Sequence, residues 1–188
     1  MPKIMTPEPD NTRDARFMKE ALQQAENALS KNEFPVGCVL VHEEQVIAAG
    51  SRRGTFGGPA NELDHAEILA LRELDDMNRT RRRSKITLFC TMEPCLMCYA
   101  AILLNGIGKI VYAFEDAMGG GTRCDLSTLP PLYGDRAVPI TPHVLREDSL
   151  RLFQTYFTRP ENDYWRGSYL SRYTLAQVPG GPPVAVPF

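Results

Sequence analysis

No apolar run in this sequence approaches the roughly 20 residues needed to cross a bilayer. The opening stretch, MPKIMTPEPD, lacks the apolar core of a signal peptide. Together these absences argue for a cytoplasmic protein with no membrane partner. Neither sign of charge is in excess: 21 Lys and Arg face 23 Asp and Glu, a formal net charge of −2. That balance gives no global pull toward nucleic acid. Cysteine is present in an odd number, five, which in a reducing compartment does not build a disulfide framework. Some of the five suit small core positions and some suit metal ligation.

The 188 residues are 43% hydrophobic, which excludes wholesale disorder. A chain of this length forms one domain by default and buries roughly 70% of its unfolded surface. Residues 1–14, with Pro2, Pro7 and Pro9, read as a flexible lead-in. Residues 179–188 form a Pro/Gly-rich tail that should not pack as a regular element. The span 15–178 is then a single domain.

Apolar residues recur at helical spacing from Phe17 to Leu29, with Asn11 or Thr12 as the cap. Val36 to Val41 is apolar almost throughout, as expected of a strand buried on both faces. Val46 to Ala49 returns as a second strand, and residues 50–60 form a Gly-rich loop. Asp64 opens a second helix whose apolar face includes Ile68, Leu71 and Leu74. Ile86 to Thr91 reads as a strand, and Pro94 fits the first position of a third helix that closes at Gly106. Lys109 to Phe114 is a strand parallel to the one before the helix. A long loop covers 115–133, a short strand 137–140 and a helix 145–157. A further helix after Arg159-Pro160 carries Tyr164 and Trp165. The order α-β-β-α-β-α-β-(β)-α describes an α/β sandwich around one sheet.

Two short motifs carry the chemistry. Cys95 and Cys98, three apart at a helix start, direct their sulfurs to the same side. The positive end of that helix favours thiolate, the form that ligates metal. His65 lies in the first turn of another helix. If both helix N-termini aim at one point, one imidazole and two thiolates hold a Zn²⁺ and leave a fourth position for water. Glu67, close by, can take a proton from that water and pass it to a leaving group. Each half alone has a plainer reading. Glu67 completes an Asp64-x-x-Glu67 capping box, and Cys95-x-x-Cys98 fits a redox pair or half of a structural zinc site. In that last case Cys38, Cys90 or Cys124 would have to supply the fourth ligand.

His-x-Glu followed by Pro-Cys-x-x-Cys is the signature of zinc deaminases. On these motifs the chain resembles the cytidine deaminase-like superfamily, and within it the tRNA adenosine deaminase branch. The resemblance covers about residues 15–157, including Phe34-Pro35-Val36-Gly37, His65-Ala66-Glu67-Ile68 and Thr91 to Cys98. It implies a three-layer α/β/α sandwich with a central mixed five-stranded sheet, and a homodimer. It implies hydrolytic deamination, in which hydroxide attacks the amine-bearing ring carbon and ammonia leaves after proton transfer through Glu67. It further implies one Zn²⁺ on His65, Cys95 and Cys98, with Val36 lining the base pocket. The backbone N–H of Cys95 would support the oxygen of the tetrahedral intermediate.

Two departures bear on substrate. The family places an asparagine shortly after the second strand, where this chain has Arg52; Asn61, in a loop about two residues longer, is the substitute. Arg159 to Trp165 is similar to the C-terminal segment of fungal-type cytosine deaminases, which closes over a free base. Trp165 therefore joins Val36, Arg52 and Asn61 as a substrate contact, against the alternative that Tyr164 and Trp165 pack a terminal helix on the sheet. The substrate expected is a nucleobase or nucleoside of purine or cytosine type. A tRNA anticodon loop, deaminated at the wobble adenosine, is the alternative, and the basic run Arg79 to Lys85 would meet its phosphates or simply be a solvated connection. A non-catalytic zinc-binding module is the remaining reading.

Overall fold

The structure, a computed structural model, describes residues 13–77, 82–181 and 184–186. Helix α1 (Arg13–Leu29) leads into strands β1 (Gly37–His42) and β2 (Gln45–Ser51). Helix α2 (Ala66–Asp76), strand β3 (Thr87–Met92), helix α3 (Leu96–Leu104) and strand β4 (Lys109–Phe114) follow. After a one-turn helix α4 (Pro131–Gly134) and a short β5 (Ile140–Thr141), the chain ends in α5 (Arg146–Thr158) and α6 (Tyr169–Ala176).

The sheet has the order β2-β1-β3-β4-β5. β1 pairs antiparallel with β2 and β3, while β3, β4 and β5 run parallel, so the sheet is mixed. The two-residue side-chain period sorts the central strands into two faces. Val39, Val41, Phe89, Val111 and Ala113 pack against Phe17, Met18, Ala21 and Leu22 of α1. Cys38, Leu40, Leu88, Cys90 and Ile110 join Ala66, Ala70 and Leu74 of α2 and Tyr99, Ile102 and Leu103 of α3. The result is the three-layer α/β/α sandwich. β1, β3 and nearly all of β4 are buried throughout, which is why they read as continuous apolar runs.

α2 lies unusually close to β2. A Cβ on Gly50 would stand 1.9 Å from the carbonyl oxygen of Ala66, so only glycine permits this approach. The contact sets where α2 begins. Glu115 follows β4 and accepts hydrogen bonds from Arg146 Nε (2.8 Å) and Tyr173 Oη (2.7 Å), with His143 Nδ1 at 3.4 Å. One carboxylate thereby ties α5 and α6 to the end of the sheet.

Several sequence expectations are corrected. Helix α1 opens at Arg13, as a cap at Asn11 or Thr12 requires, so Arg13 and Asp14 belong to the helix and not to the lead-in; residues 1–12 lie outside the described residues. α2 starts at Ala66 rather than Asp64, with His65 as its N-cap. Pro94 precedes the cap of α3 instead of opening it, because Cys95 takes the cap position. The strand expected at 137–140 is only Ile140–Thr141. Tyr164 and Trp165 are not helical. Arg166 donates to the carbonyls of Arg159, Pro160 and Asn162 and holds this stretch in turns. Trp165 and Gly167 have φ of 58° and 70°, which no right-handed helix accommodates. In the basic run, Arg79 and Arg81 lie outside the described residues, and Arg83 pairs with Asp75 and Asn105, joining the ends of α2 and α3. The described part of the tail has no regular element but is held: Gln177 bonds both the N–H (3.0 Å) and the carbonyl (2.9 Å) of Val184.

Candidate active site

His65 and Cys95 are the N-cap residues of α2 and α3, both in extended backbone, and neither makes a side-chain cap hydrogen bond. An N-cap position normally carries Ser, Thr, Asp or Asn, whose oxygen satisfies a first-turn N–H. Here both side chains turn away from their helices and toward each other. Cys98, one turn into α3, completes the group. His65 Nδ1 stands 3.6 Å from Cys95 Sγ and 3.5 Å from Cys98 Sγ.

These separations match a metal. A tetrahedral zinc with its usual Zn–N and Zn–S bond lengths holds its nitrogen and sulfur ligands about 3.6 Å apart. All three ligand atoms lie within 4.8 Å of one another. Among the described residues no other cluster of His, Cys, Asp and Glu meets this geometry. Cys38 and Cys90 are buried in strands and directly paired across β1 and β3, and Cys124 is exposed. The site therefore has three protein ligands, the pattern that leaves a coordination position open.

The electrostatics agree with this use. The hydrogen bond from Cys98 pulls the Cys95 thiol down to about 4; burial opposes this and His65 assists. Burial pushes the His65 imidazolium down, but the hydrogen bond to Cys95 and the charge of Glu67 outweigh it. Glu67 is 3% exposed, and its Oε2 has no hydrogen-bond partner among the described residues. Burial and the neighbouring Cys95 charge push its carboxyl up. A buried, unpartnered carboxylate oxygen is costly to a fold and suited to a proton acceptor. Glu67 makes no capping box; the helix cap is one residue away from where such a box would need it.

A cavity of about 140 Å³ opens beside these groups. An apolar cavity of about 150 Å³ takes up benzene, so this one has the scale of a single flat ring system. Its lining includes His65, Glu67 and Cys95 together with Val36, Arg52, Tyr164 and Trp165. Asn61 is not part of the lining. It is exposed, and its Oδ1 accepts the N–H groups of Leu63 and Asp64 in the turn before α2. Its carbonyl oxygen instead accepts a hydrogen bond from Arg52 Nη1 at 2.7 Å.

Sequence reasoning missed Glu62, Glu93 and Asp116, all of which face the cavity. Glu93 is 2% exposed and holds the N–H of Asp116 (3.2 Å) and the hydroxyl of Thr122. Asp116 Oδ1 in turn accepts the N–H groups of Met118 and Gly119. The one signal for Glu93 was an acidic residue wedged between an apolar strand and Pro94. Glu62 gave none, because loop geometry alone brings it in.

A His-Cys-Cys metal site at two converging helix starts, with a buried glutamate beside it on a mixed five-stranded sheet, defines a zinc-dependent nucleobase deaminase. Residues 11–114 match the family described as the cytidine and deoxycytidylate deaminase zinc-binding region, and the chain belongs to that family. The tRNA-specific adenosine deaminase of Streptococcus pyogenes serotype M18 is 33% identical over 141 residues, 75% of this chain and 87% of that protein. That of Bacillus subtilis is 32% identical over 147 residues, 78% and 89% of the two chains. Among solved structures, a tRNA:A34 deaminase editing A to I at the wobble position has 29% identity and a TM-score of 0.57, covering 70% of this chain and 99% of that one. The guanine deaminase of Nitrosomonas europaea superposes with a TM-score of 0.60, over 80% of this chain and 87% of that one. Its 21% identity makes that a likeness of fold. No helix among the described residues is long and apolar enough to cross a membrane.

Proposed function

We propose that the chain hydrolyses the exocyclic amine from a free nucleobase or nucleoside, with residues 15–178 acting as one cytoplasmic deaminase domain. The observation that carries this reading is the cover over the cavity. Tyr164 and Trp165, from the turns after α5, line a space of single-ring scale, and Tyr164 Oη donates to Glu62 Oε2 at 2.8 Å, joining two parts of the lining. A small planar substrate fits beneath such a cover more readily than a base still attached to folded RNA.

His65, Cys95 and Cys98 hold the zinc. When bound, it supplies a water whose pKa falls from about 15.7 to about 7. Glu67 accepts a proton at Oε2 and returns it to the departing amine. The N–H of Cys95, at a helix start where no intrahelical acceptor exists, donates to the oxygen added at the ring carbon. Val36 and Trp165 give the ring apolar and aromatic surface, and Arg52 gives it a hydrogen-bond donor. Asn61 acts only through Arg52. The test is ammonia release from adenine, guanine, cytosine and their nucleosides by the zinc-loaded protein. Activity on at least one supports the reading, and silence on all of them sinks it.

A second reading, wobble-adenosine deamination in a tRNA anticodon loop, is favoured by the roughly one-third identity to tRNA-specific adenosine deaminases over three quarters of the chain. Inosine formed in an anticodon stem-loop would select it. In either case a homodimer accounts for α3. Its outer side carries Leu96, 57% exposed, and Leu104, 47% exposed, and a helix apolar all round belongs in an interior.

A further inference from the structure

Among the described residues, Arg52 is the single arginine or lysine lining the cavity; the other ionisable groups there are His65, Cys95 and the carboxyls of Glu62, Glu67, Glu93 and Asp116. Its side chain is 2% exposed. A buried guanidinium is fixed in orientation when part of its donor set is taken up, and here that part is Nη1. Nη1 donates to the carbonyls of Arg53 (2.9 Å) and Asn61 (2.7 Å). Nη2 lies 3.5 Å from Tyr164 Oη and 3.6 Å from Glu62 Oε2, and the guanidinium carbon sits 5.6 Å from the centre of the Tyr164 ring. The backbone N–H of Arg52 is tied to the carbonyl of Val36 at 2.9 Å. Backbone carbonyls on one side and an aromatic face with an acid on the other leave the fork little freedom to turn away.

Resting on the small-substrate reading above, we propose that Arg52 is the specificity-determining residue and that it selects aminated bases bearing a ring carbonyl. The argument is one of donors and acceptors. A guanidinium has five N–H donors and no acceptor, and it cannot lose its proton. A ring edge that offers a carbonyl oxygen accepts from it, with charge assistance. A ring edge that offers an amine in the same place sets donor against donor. Such a site rejects the wrong partner strongly, because its buried polar group is left unpaired. Adding an amine cannot recruit a rotated Arg52, because the two backbone carbonyls fix Nη1. The carboxylates elsewhere in the cavity complement the N–H and amine groups of the same ring. The substrate class is therefore an amino-oxo purine or pyrimidine rather than its diamino counterpart.

The test uses two pairs of bases of matched shape: guanine with 2,6-diaminopurine, and cytosine with 2,4-diaminopyrimidine. Trp165 is the single tryptophan and lines the cavity, so quenching of its fluorescence reads binding without turnover. Zinc-loaded protein is expected to bind the oxo member of at least one pair roughly 10- to 100-fold more tightly, with the same order in kcat/KM. In Arg52→Gln, whose amide can donate or accept, that ratio should shrink to about threefold or less. Equal affinity for both members of each pair in the unmodified protein would overturn the assignment, and needs no variant that might misfold. So would an unchanged preference in a folded, zinc-loaded Arg52→Gln. If none of the four bases binds or releases ammonia while an anticodon stem-loop is deaminated, the small-substrate reading fails and takes this assignment with it.

Discussion

His65 and Cys95 hold the same place in two different helices: each is the last residue before the first turn, and their ligand atoms lie 3.6 Å apart. The cap position lets a side chain leave the helix axis while its backbone stays anchored to it. It also explains how Glu67, two residues beyond His65, reaches the same cavity. Within a regular helix the two would diverge by about 200°, but His65 has ψ of 149° and lies outside the helical path.

Glu67→Gln keeps the shape of the buried side chain but removes its basicity. Zinc content measured by elemental analysis should be unchanged, while turnover on the active substrate falls by roughly 10²- to 10⁴-fold. Full activity in the variant would remove Glu67 from the proton path.

Cys95→Ser replaces a thiolate with a hydroxyl that stays protonated near neutral pH. The expected outcome is loss of zinc after dialysis, where the parent chain retains one per molecule. Stoichiometric zinc in the purified variant would overturn this ligand assignment.

Gly50→Ala forces a Cβ to within 1.9 Å of the Ala66 carbonyl oxygen, so α2 must move. Overpacking of this kind costs about 1–3 kcal/mol, and here the shift falls on the helix that starts at the zinc ligand His65. Urea denaturation should report the loss of stability, and weaker zinc retention should accompany it. A variant with unchanged midpoint and zinc content would mean that the helix has more play than its packing implies.

Glu115 gives the fold an acid-sensitive tie. Burial pushes its carboxyl up, but the hydrogen bonds from His143, Arg146 and Tyr173 outweigh burial and hold it well below its ordinary value of 4.5. A carboxyl depressed in the folded state stabilises it above the unfolded value and loses that contribution as pH falls through the folded value. Glu115→Gln should therefore be less stable by about 2 kcal/mol at pH 7. Between about pH 5 and 2 its stability should fall less steeply than that of the parent. Parallel stability curves for the two proteins over that range would contradict this account.

Leu104→Glu puts a charge on the exposed apolar face of α3. Light scattering should find a dimer for the parent chain and a monomer for the variant, with folding retained because the residue is 47% exposed. An identical mass for both would exclude this face from the contact.

The legible parts of the fold were those governed by local pattern. β4 matched its expected bounds, Lys109–Phe114, and β1 and β3 matched within a residue or two, because strands buried on both faces leave unbroken apolar runs. The turn that carries Tyr164 and Trp165 was read as helix because nothing nearby announces that Arg166 will donate to three carbonyls behind it. Asn61 was a reasonable substitute donor by residue type, yet its side chain is consumed in its own turn.

By itself, the order of residues determined the His-Cys-Cys zinc site and the layered α/β plan. Helix starts, ligand chemistry and side-chain periodicity are properties of neighbours in the chain. Only the tertiary structure decided that Arg52, Glu62, Tyr164 and Trp165 share one cavity. They come from the end of β2, a long loop and the turns after α5, more than 100 positions apart at the extremes. Contacts across that distance depend on how loops settle over the sheet, and loop conformation leaves no periodic mark in a sequence.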